Sequence, residues 1–361
     1  MQFEATEDRR MLADTLNRFL STEYGMDVRN AAAYSAPYHA PEKWTQLCEL
    51  GTLLALTSEE QGGFGGTGFD VTAVFEPLGR ALCPEPALPA LMAIRLLAAA
   101  GHDLEPAMSG TTTYAVAIGE MEVPYGLDGL STTARPGGDG FRLTGRKSVV
   151  YGGHIADRVL VAAHREGSAD DKPGVFAVNA KDITVSGYGL IDGGGAAELF
   201  LEDAPAELLL ADGTAGLQDA LDAGALALCA EAIGAMDVLF DMTLDYLKTR
   251  KQFGTPIGAF QALQHRMVDL KTEIEQARSI TILAASRMGA PDQSRAVSMA
   301  KNLIGRTAQL VAEESIQLHG GIAMTWEYPG SHYAKRLVMI DHQFGDADYH
   351  LERVMAAHQV A

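Results

Sequence analysis

The chain has 361 residues and sets 28 basic side chains against 47 acidic ones, a net charge of −19 that argues against nucleic acid and anionic membranes as partners. That length accommodates two or three domains with sizeable cores. Cys48, Cys83 and Cys229 are odd in number and lack metal spacing, so neither a disulfide framework nor a metal site is expected.

Residues 1–110 read as a helical domain. Thr6 is placed to cap a first helix, with Glu7 and Asp8 in its first turn and Leu12, Leu16, Phe19 and Leu20 on one face. Met1-Gln-Phe-Glu is not a signal peptide, and no apolar run reads as long enough to span a bilayer, so a cytoplasmic protein is expected. Trp44, Leu47, Leu50 and Leu53 mark a second helix, and 70–82 and 88–100 two more. Ser58 to Gly68, SEEQGGFGGTG, is a glycine-rich loop that matches a phosphate cradle only loosely, since no Lys-Ser/Thr follows. From Thr112 the period changes. Short runs at 114–119, 141–150, 158–163, 175–179, 183–188 and 198–201 alternate with Gly, Asp and Pro, which predicts a middle β-domain over 111–212, a small barrel or sandwich. Helical spacing returns over 213–361, with helices at 216–249, 260–288, 294–319 and around 331–358, lengths that suit an antiparallel four-helix bundle. The fold class is mostly α with a central β-domain.

The stretch Leu244 to His265 stands between the first two of these long helices. Arg250, Gln252, Phe253 and Gly254 precede a turn at Pro256 and Gly258, and Gln261 and Gln264 open the next helix. A cation, two amides and an aromatic ring at a helix–helix corner are well placed to meet a ligand. A second pattern, Gln317-Leu-His319-Gly320-Gly321, ends a later helix.

These two motifs and the order helical, β, helical resemble the acyl-CoA dehydrogenase family over essentially the whole chain. The resemblance implies FAD as cofactor, bound between subunits. It further implies that Arg250 reaches the pyrophosphate of a neighbouring subunit's flavin, as a planar guanidinium suits. Gln252, Phe253 and Gln261 match positions at the adenosine and phosphate end. Gln317, His319, Gly320 and Gly321 match the segment along the same half of the cofactor, where glycines let main chain approach closely.

The chain departs from the family where the reaction is carried out. Removing an α-proton from an acyl thioester needs a carboxylate. In the loop before the last helix, Gln343-Phe344-Gly345-Asp346 puts Phe344 where most members have a glutamate. The alternative position, on the helix before the arginine motif, falls on Gly224. Asp346, Asp348 and Asp222 are weak candidates for a displaced base, and Glu231 belongs to a polar stripe. The ring-binding loop of the family falls at Gly119–Asp128 and keeps only Glu120. The strand beside the flavin reads Lys147-Ser-Val-Val-Tyr-Gly-Gly, where Ser148 and Tyr151 are the available substitutes.

Groups for a subunit's own flavin ring are therefore lost, while groups reaching a neighbour's are kept. The resemblance is strongest to the small, non-catalytic subunits of bacterial heteromeric acyl-CoA dehydrogenases of the pimeloyl-CoA and steroid side-chain types. It implies an α2β2 complex with a catalytic paralogue, an acyl-CoA substrate and an electron-transfer flavoprotein as acceptor. The alternatives are a homomeric dehydrogenase with a displaced base, and a flavin-free structural or CoA-binding protein.

Overall fold

A computed structural model describes residues 6–138, 140–167 and 172–359; the opening Met1-Gln-Phe-Glu lies outside them. Seven helices come first: α1 (Glu7–Glu23), α2 (Met26–Ala33), α3 (Pro41–Glu49), α4 (Thr52–Ala55), α5 (Gly68–Arg80), α6 (Ala87–Ala99) and α7 (Glu105–Met108). Seven strands follow: β1 (Tyr114–Ala117), β2 (Thr133–Gly137), β3 (Gly140–Tyr151), β4 (Arg158–Arg165), β5 (Pro173–Asn179), β6 (Thr184–Gly189) and β7 (Gly195–Leu210). The long helix α8 (Thr214–Thr249) leads through a hairpin, β8 (Lys251–Gln252) and β9 (Thr255–Pro256), into α9 (Gln261–Arg287), α10 (Gln293–His319), α11 (Pro329–Asp341) and α12 (Ala347–Gln359). The expected order of helical, β and helical stretches is present. The chain packs as two compact units, one of 1–29, 68–83 and 225–361, the other of 30–67 and 84–224.

In the second unit the strands β2-β3-β7-β5-β4 pair in a closed circuit, because β4 is bonded to both β5 and β2. This is a barrel, with β1 added to β4 and β6 to β7. Leu143, Val159, Val161, Phe176, Val178, Leu199 and Leu201 fill it. β2 was not expected, because Pro136 reads as a strand breaker; it nevertheless pairs opposite Phe141. The glycine-rich tract of this unit folds on itself. The amides of Gly63, Phe64, Gly65 and Gly66 donate to the carbonyls of Ser58, Leu54, Thr57 and Ala55. Those are donors a phosphate would need, so the tract is no cradle.

In the first unit α10 is the central helix and packs against α9, α11 and α12. Along α8, Leu226, Cys229, Ile233, Met236 and Leu247 are buried and Phe240 and Leu244 half-buried, an apolar face with residues spaced three or four apart. α5 and α8 cross at two glycines. A Cβ on Gly79 would collide with the Glu231 carbonyl, and one on Gly234 with that of Glu76, so the backbones touch where no side chain fits. Asp237 of α8 accepts Arg80 of α5 at 2.6 Å and Arg278 of α9 at 2.7 Å, which ties the same three helices by charge.

Two expectations need correction. α8 is long and apolar enough to cross a bilayer, with a mean hydropathy of 1.7 over its best window, but that window is mostly buried within the fold. The last helix is two helices. They break at 342–346, where Phe344 takes φ 56° and Gly345 φ 106°, values that an α-helix does not contain.

Candidate functional site

The corner expected at Leu244–His265 is a tight hairpin. β8 and β9 pair Lys251 with Pro256 and Gln252 with Thr255, which leaves Phe253 and Gly254 as a two-residue loop. Both have positive φ, 53° and 80°. Such a loop matches the twist of its strands but favours Asn or Gly, not a phenylalanine. Phe253 is 92% exposed and meets the edge of the Phe260 ring, centroid to centroid at 6.3 Å. The corner is fixed from beneath. Ile257 N–H donates to the Arg250 carbonyl at 2.8 Å, the Gln264 amide donates to the Gly258 carbonyl at 2.9 Å, and a Cβ at Gly258 would press on the Leu247 carbonyl.

On this corner the side chains expected to bind a ligand are left over. Among the described residues the Arg250 guanidinium has no ion pair or hydrogen bond, and the side chains of Gln252 and Gln261 make none either. All three are exposed. An exposed guanidinium with no partner among the described residues is available to an external anion.

The Gln317–Gly321 segment closes α10. Gln317 is exposed and unbonded among the described residues. Gly320 has φ 71°, and a Cβ on it or on Gly321 would meet nothing within 4 Å, so a ligand can reach this main chain. His319, expected among the cofactor contacts, is instead turned inward and buried. Its Nδ1 lies 2.8 Å from the Ser315 carbonyl, which can only accept, so Nδ1 carries the proton and Nε2 accepts from the Tyr328 hydroxyl at 2.5 Å. Burial lowers its pKa, which keeps the ring neutral. Packed on Tyr246 at 4.6 Å and on Tyr328 at 5.0 Å, it supports the turn and offers no polar atom outward.

The 342–346 loop contrasts with the corner, because its main-chain carbonyls and the Asp346 carboxylate are engaged within the fold, although the buried Gln343 side-chain oxygen finds no hydrogen-bond partner among the described residues. Buried Lys301 of α10 donates to the carbonyls of Asp341 at 2.9 Å and Gly345 at 2.8 Å. Buried His350 of α12 donates from Nε2 to the Phe344 carbonyl at 3.1 Å and accepts from Ser298 at Nδ1. Burial, then the Lys301 charge, pushes the His350 pKa down to about 3. Asp346 caps α12, its carboxylate accepting the Tyr349 N–H at 2.8 Å. Asp348 is exposed in the first turn of α12. Asp222, in the other unit, is buried and accepts from Gln218 of its own helix at 2.8 Å. Glu231 is not on a solvated stripe but is held in a buried bidentate pair with Arg336, at 2.6 and 2.8 Å. Lys301 and His350 escaped the sequence reading. Their one signal was a lysine among Ala296, Val297, Ala300 and Ile304 on an apolar helix face.

Comparison with known proteins bears on these features. The acyl-CoA dehydrogenase N-terminal domain model matches residues 6–103, and the C-terminal domain model residues 211–358. Acyl-CoA dehydrogenase IpdE2 of Mycolicibacterium smegmatis is 31% identical over 335 residues, 92% of each chain. The chain belongs to the acyl-CoA dehydrogenase family. Among solved structures it is similar to a variant of the Tcur3481–Tcur3483 steroid ACAD, with 29% identity and a TM-score of 0.89, covering 98% of this chain and 99% of that one. It is also similar to the ChsE4–ChsE5 complex from Mycobacterium tuberculosis, with 26% identity, a TM-score of 0.89 and full coverage of both chains.

FAD is the cofactor of acyl-CoA dehydrogenases, oxidoreductases as a family. In the barrel unit of this member, Glu120 faces the interior. It takes both the N–H and hydroxyl of Ser131 (2.7 and 2.6 Å), both those of Thr132 (3.0 and 2.6 Å), and the Lys147 ammonium at 2.8 Å. Burial alone would raise its pKa, but the Lys147 charge and these donors hold it down to about 2. Lys147, wholly buried, also donates to the Ile118 carbonyl at 2.9 Å, and burial brings its pKa down to about 8. The pair is a strut under the 118–132 segment. Beyond it, Val149 adopts φ 50° at a bulge in β3, an outlier for a β-branched residue, held by the Glu198 carboxylate on its N–H at 3.1 Å.

Proposed function

We propose that this chain is the accessory subunit of a heteromeric acyl-CoA dehydrogenase and completes, in trans, the FAD site of a catalytic paralogue. The observation that carries the reading is the contrast within one unit. Arg250, Gln252, Gln261 and Gln317 are exposed and have no side-chain partner among the described residues, whereas the loop that would need a base has Phe344 and an Asp346 engaged as a helix cap. A phenyl ring accepts no proton, and the loop's one carboxylate is engaged as a helix cap, which supports the reading that the base lies in the partner.

The residues present fit the dinucleotide half of FAD. Arg250 would hold the pyrophosphate through two parallel N–H donors. Gln252 and Gln261 would bond phosphate or ribose oxygens, Phe253 would cover an apolar face, and the open Gly320–Gly321 main chain would lie along the cofactor. FAD itself supplies the hydride acceptor for α,β-dehydrogenation to a trans-2-enoyl-CoA. The solved relatives named as two-component assemblies support an α2β2 arrangement, and the steroid ACAD among them supports a bulky acyl-CoA as substrate. An electron-transfer flavoprotein would take the electrons, in the cytoplasm.

Flavin absorbance tests the reading on the chain expressed alone and with the paralogue. We expect a colourless or insoluble lone chain, and about one FAD per heterodimer in the pair. One FAD per subunit in the lone chain, bleached by an acyl-CoA, overturns it.

A further inference from the structure

Directly after the Gly320–Gly321 turn the chain presents three large apolar side chains on alternate residues. Ile322 is 45% exposed, Met324 78% and Trp326 52%. Between them Ala323 is buried and pegs the segment to the fold. The backbone is braced at both ends. His319 and Tyr328 close one side, as described above. On the other, buried His332 donates from Nε2 to the Trp326 carbonyl at 3.0 Å, with its ring edge-on to the indole at 4.8 Å. Thr325 donates its hydroxyl to the Ile322 carbonyl at 2.9 Å, and the Lys335 ammonium lies 4.5 Å from the indole centroid. The ridge is therefore ordered before anything touches it, which removes part of the entropy cost of docking.

We propose that the Ile322–Met324–Trp326 ridge is the docking anchor for the catalytic paralogue. The inference rests on the accessory reading and names the surface through which that partner is held. Three observations select the occupant. The ridge runs on from Gln317, Gly320 and Gly321, the main chain assigned above to a cofactor carried by the other subunit. Its three side chains carry no charge in a chain of net charge −19, and Trp and Met are enriched in interface cores. A second copy of this chain would bring another Phe344 loop, whereas two solved relatives that match nearly the whole chain are named as two-component assemblies.

The test uses the co-expressed complex and reads association and flavin separately. Met324→Ser with Trp326→Ala should weaken association of the two chains at least 100-fold in a sedimentation or light-scattering dilution series. Trp326→Phe should restore most of it, and the control Met11→Ser, on an exposed residue of α1, should change nothing. Arg250→Ala should leave assembly intact and lower flavin content. Wild-type association of the double variant overturns the proposal. So does a lone chain that self-associates through the ridge and is not displaced by the paralogue. An Arg250→Ala complex that keeps its flavin counts against the accessory reading, while the ridge is still judged on association alone.

Discussion

The corner at 250–261 and the loop at 342–346 belong to the same helical unit, and each holds a phenylalanine at positive φ, Phe253 and Phe344. They treat polar groups in opposite ways. At the loop, Lys301, His350 and Asp346 turn onto main chain, and the unpartnered polar atom there among the described residues, the Gln343 side-chain oxygen, is buried. At the corner, main chain is satisfied by main chain and by Gln264, and the charged and amide groups project unbonded. A fold reveals a binding surface by what it declines to pair. Strain alone is a poorer guide, since both places have it.

The inward class should answer to stability and the outward class to the cofactor. The largest effect is expected at the strut of the barrel unit. Lys147→Met leaves the Glu120 carboxylate buried without its cation, a change that costs about 3–5 kcal/mol, measured by denaturant unfolding. The same pair sets an acid limit. The folded pKa of Glu120, about 2, lies below its ordinary 4.5, so its contribution is fully present above pH 4.5 and is lost as pH falls from there through 2. Glu120→Gln should flatten that acid limb. A limb of unchanged slope would show that other carboxylates control acid unfolding.

Lys301→Met comes next. It strands the carbonyls of Asp341 and Gly345, at roughly 1–3 kcal/mol each. Relief of the buried ammonium's own desolvation, visible in a pKa pulled down to about 8, offsets part of this. A net loss of about 2–3 kcal/mol is expected, with faster hydrogen exchange of the 343–347 amides and unchanged flavin content in the complex. Flavin loss in step with stability would instead join the loop to the cofactor surface.

Much of this was legible in the sequence, because period and motif are local properties. The apolar face of α8 and the Arg250 and Gln317 motifs needed no partner to be recognised. What was misread depended on partners far along the chain. β2 contains Pro136 and is a strand only because β3 and β4 flank it. His319 reads as a ligand until Tyr328 and the Ser315 carbonyl occupy both its nitrogens. Glu231 reads as part of a polar stripe until Arg336, 105 residues later, closes on it in a buried pair. The break between α11 and α12 depends likewise on Lys301 and His350, which no pattern within 342–346 announces.

Arg250→Ala should remove two charge-assisted hydrogen bonds to a phosphate group, weakening FAD retention in the complex about 10–100-fold. Arg250→Lys should recover only part, since an ammonium cannot match the planar fork. The melting temperature of the apo complex should not move, because the guanidinium has no partner among the described residues to lose.

The smallest expected effect is the most discriminating, because its two readouts have opposite signs. Phe253 is in the left-handed region at 92% exposure, so its ring gains little from this chain while its backbone carries a cost of about 1–2 kcal/mol. Phe253→Asn keeps the two-residue turn with a residue that tolerates that conformation. It should raise the stability of the apo protein by about 0.5–1 kcal/mol and weaken flavin retention a few-fold. If the ring were simply structural, the same substitution would lower stability and leave the cofactor alone. If both readouts fell together, the hairpin would be supporting Arg250 rather than presenting Phe253, and the corner would act as one unit instead of a set of separable contacts.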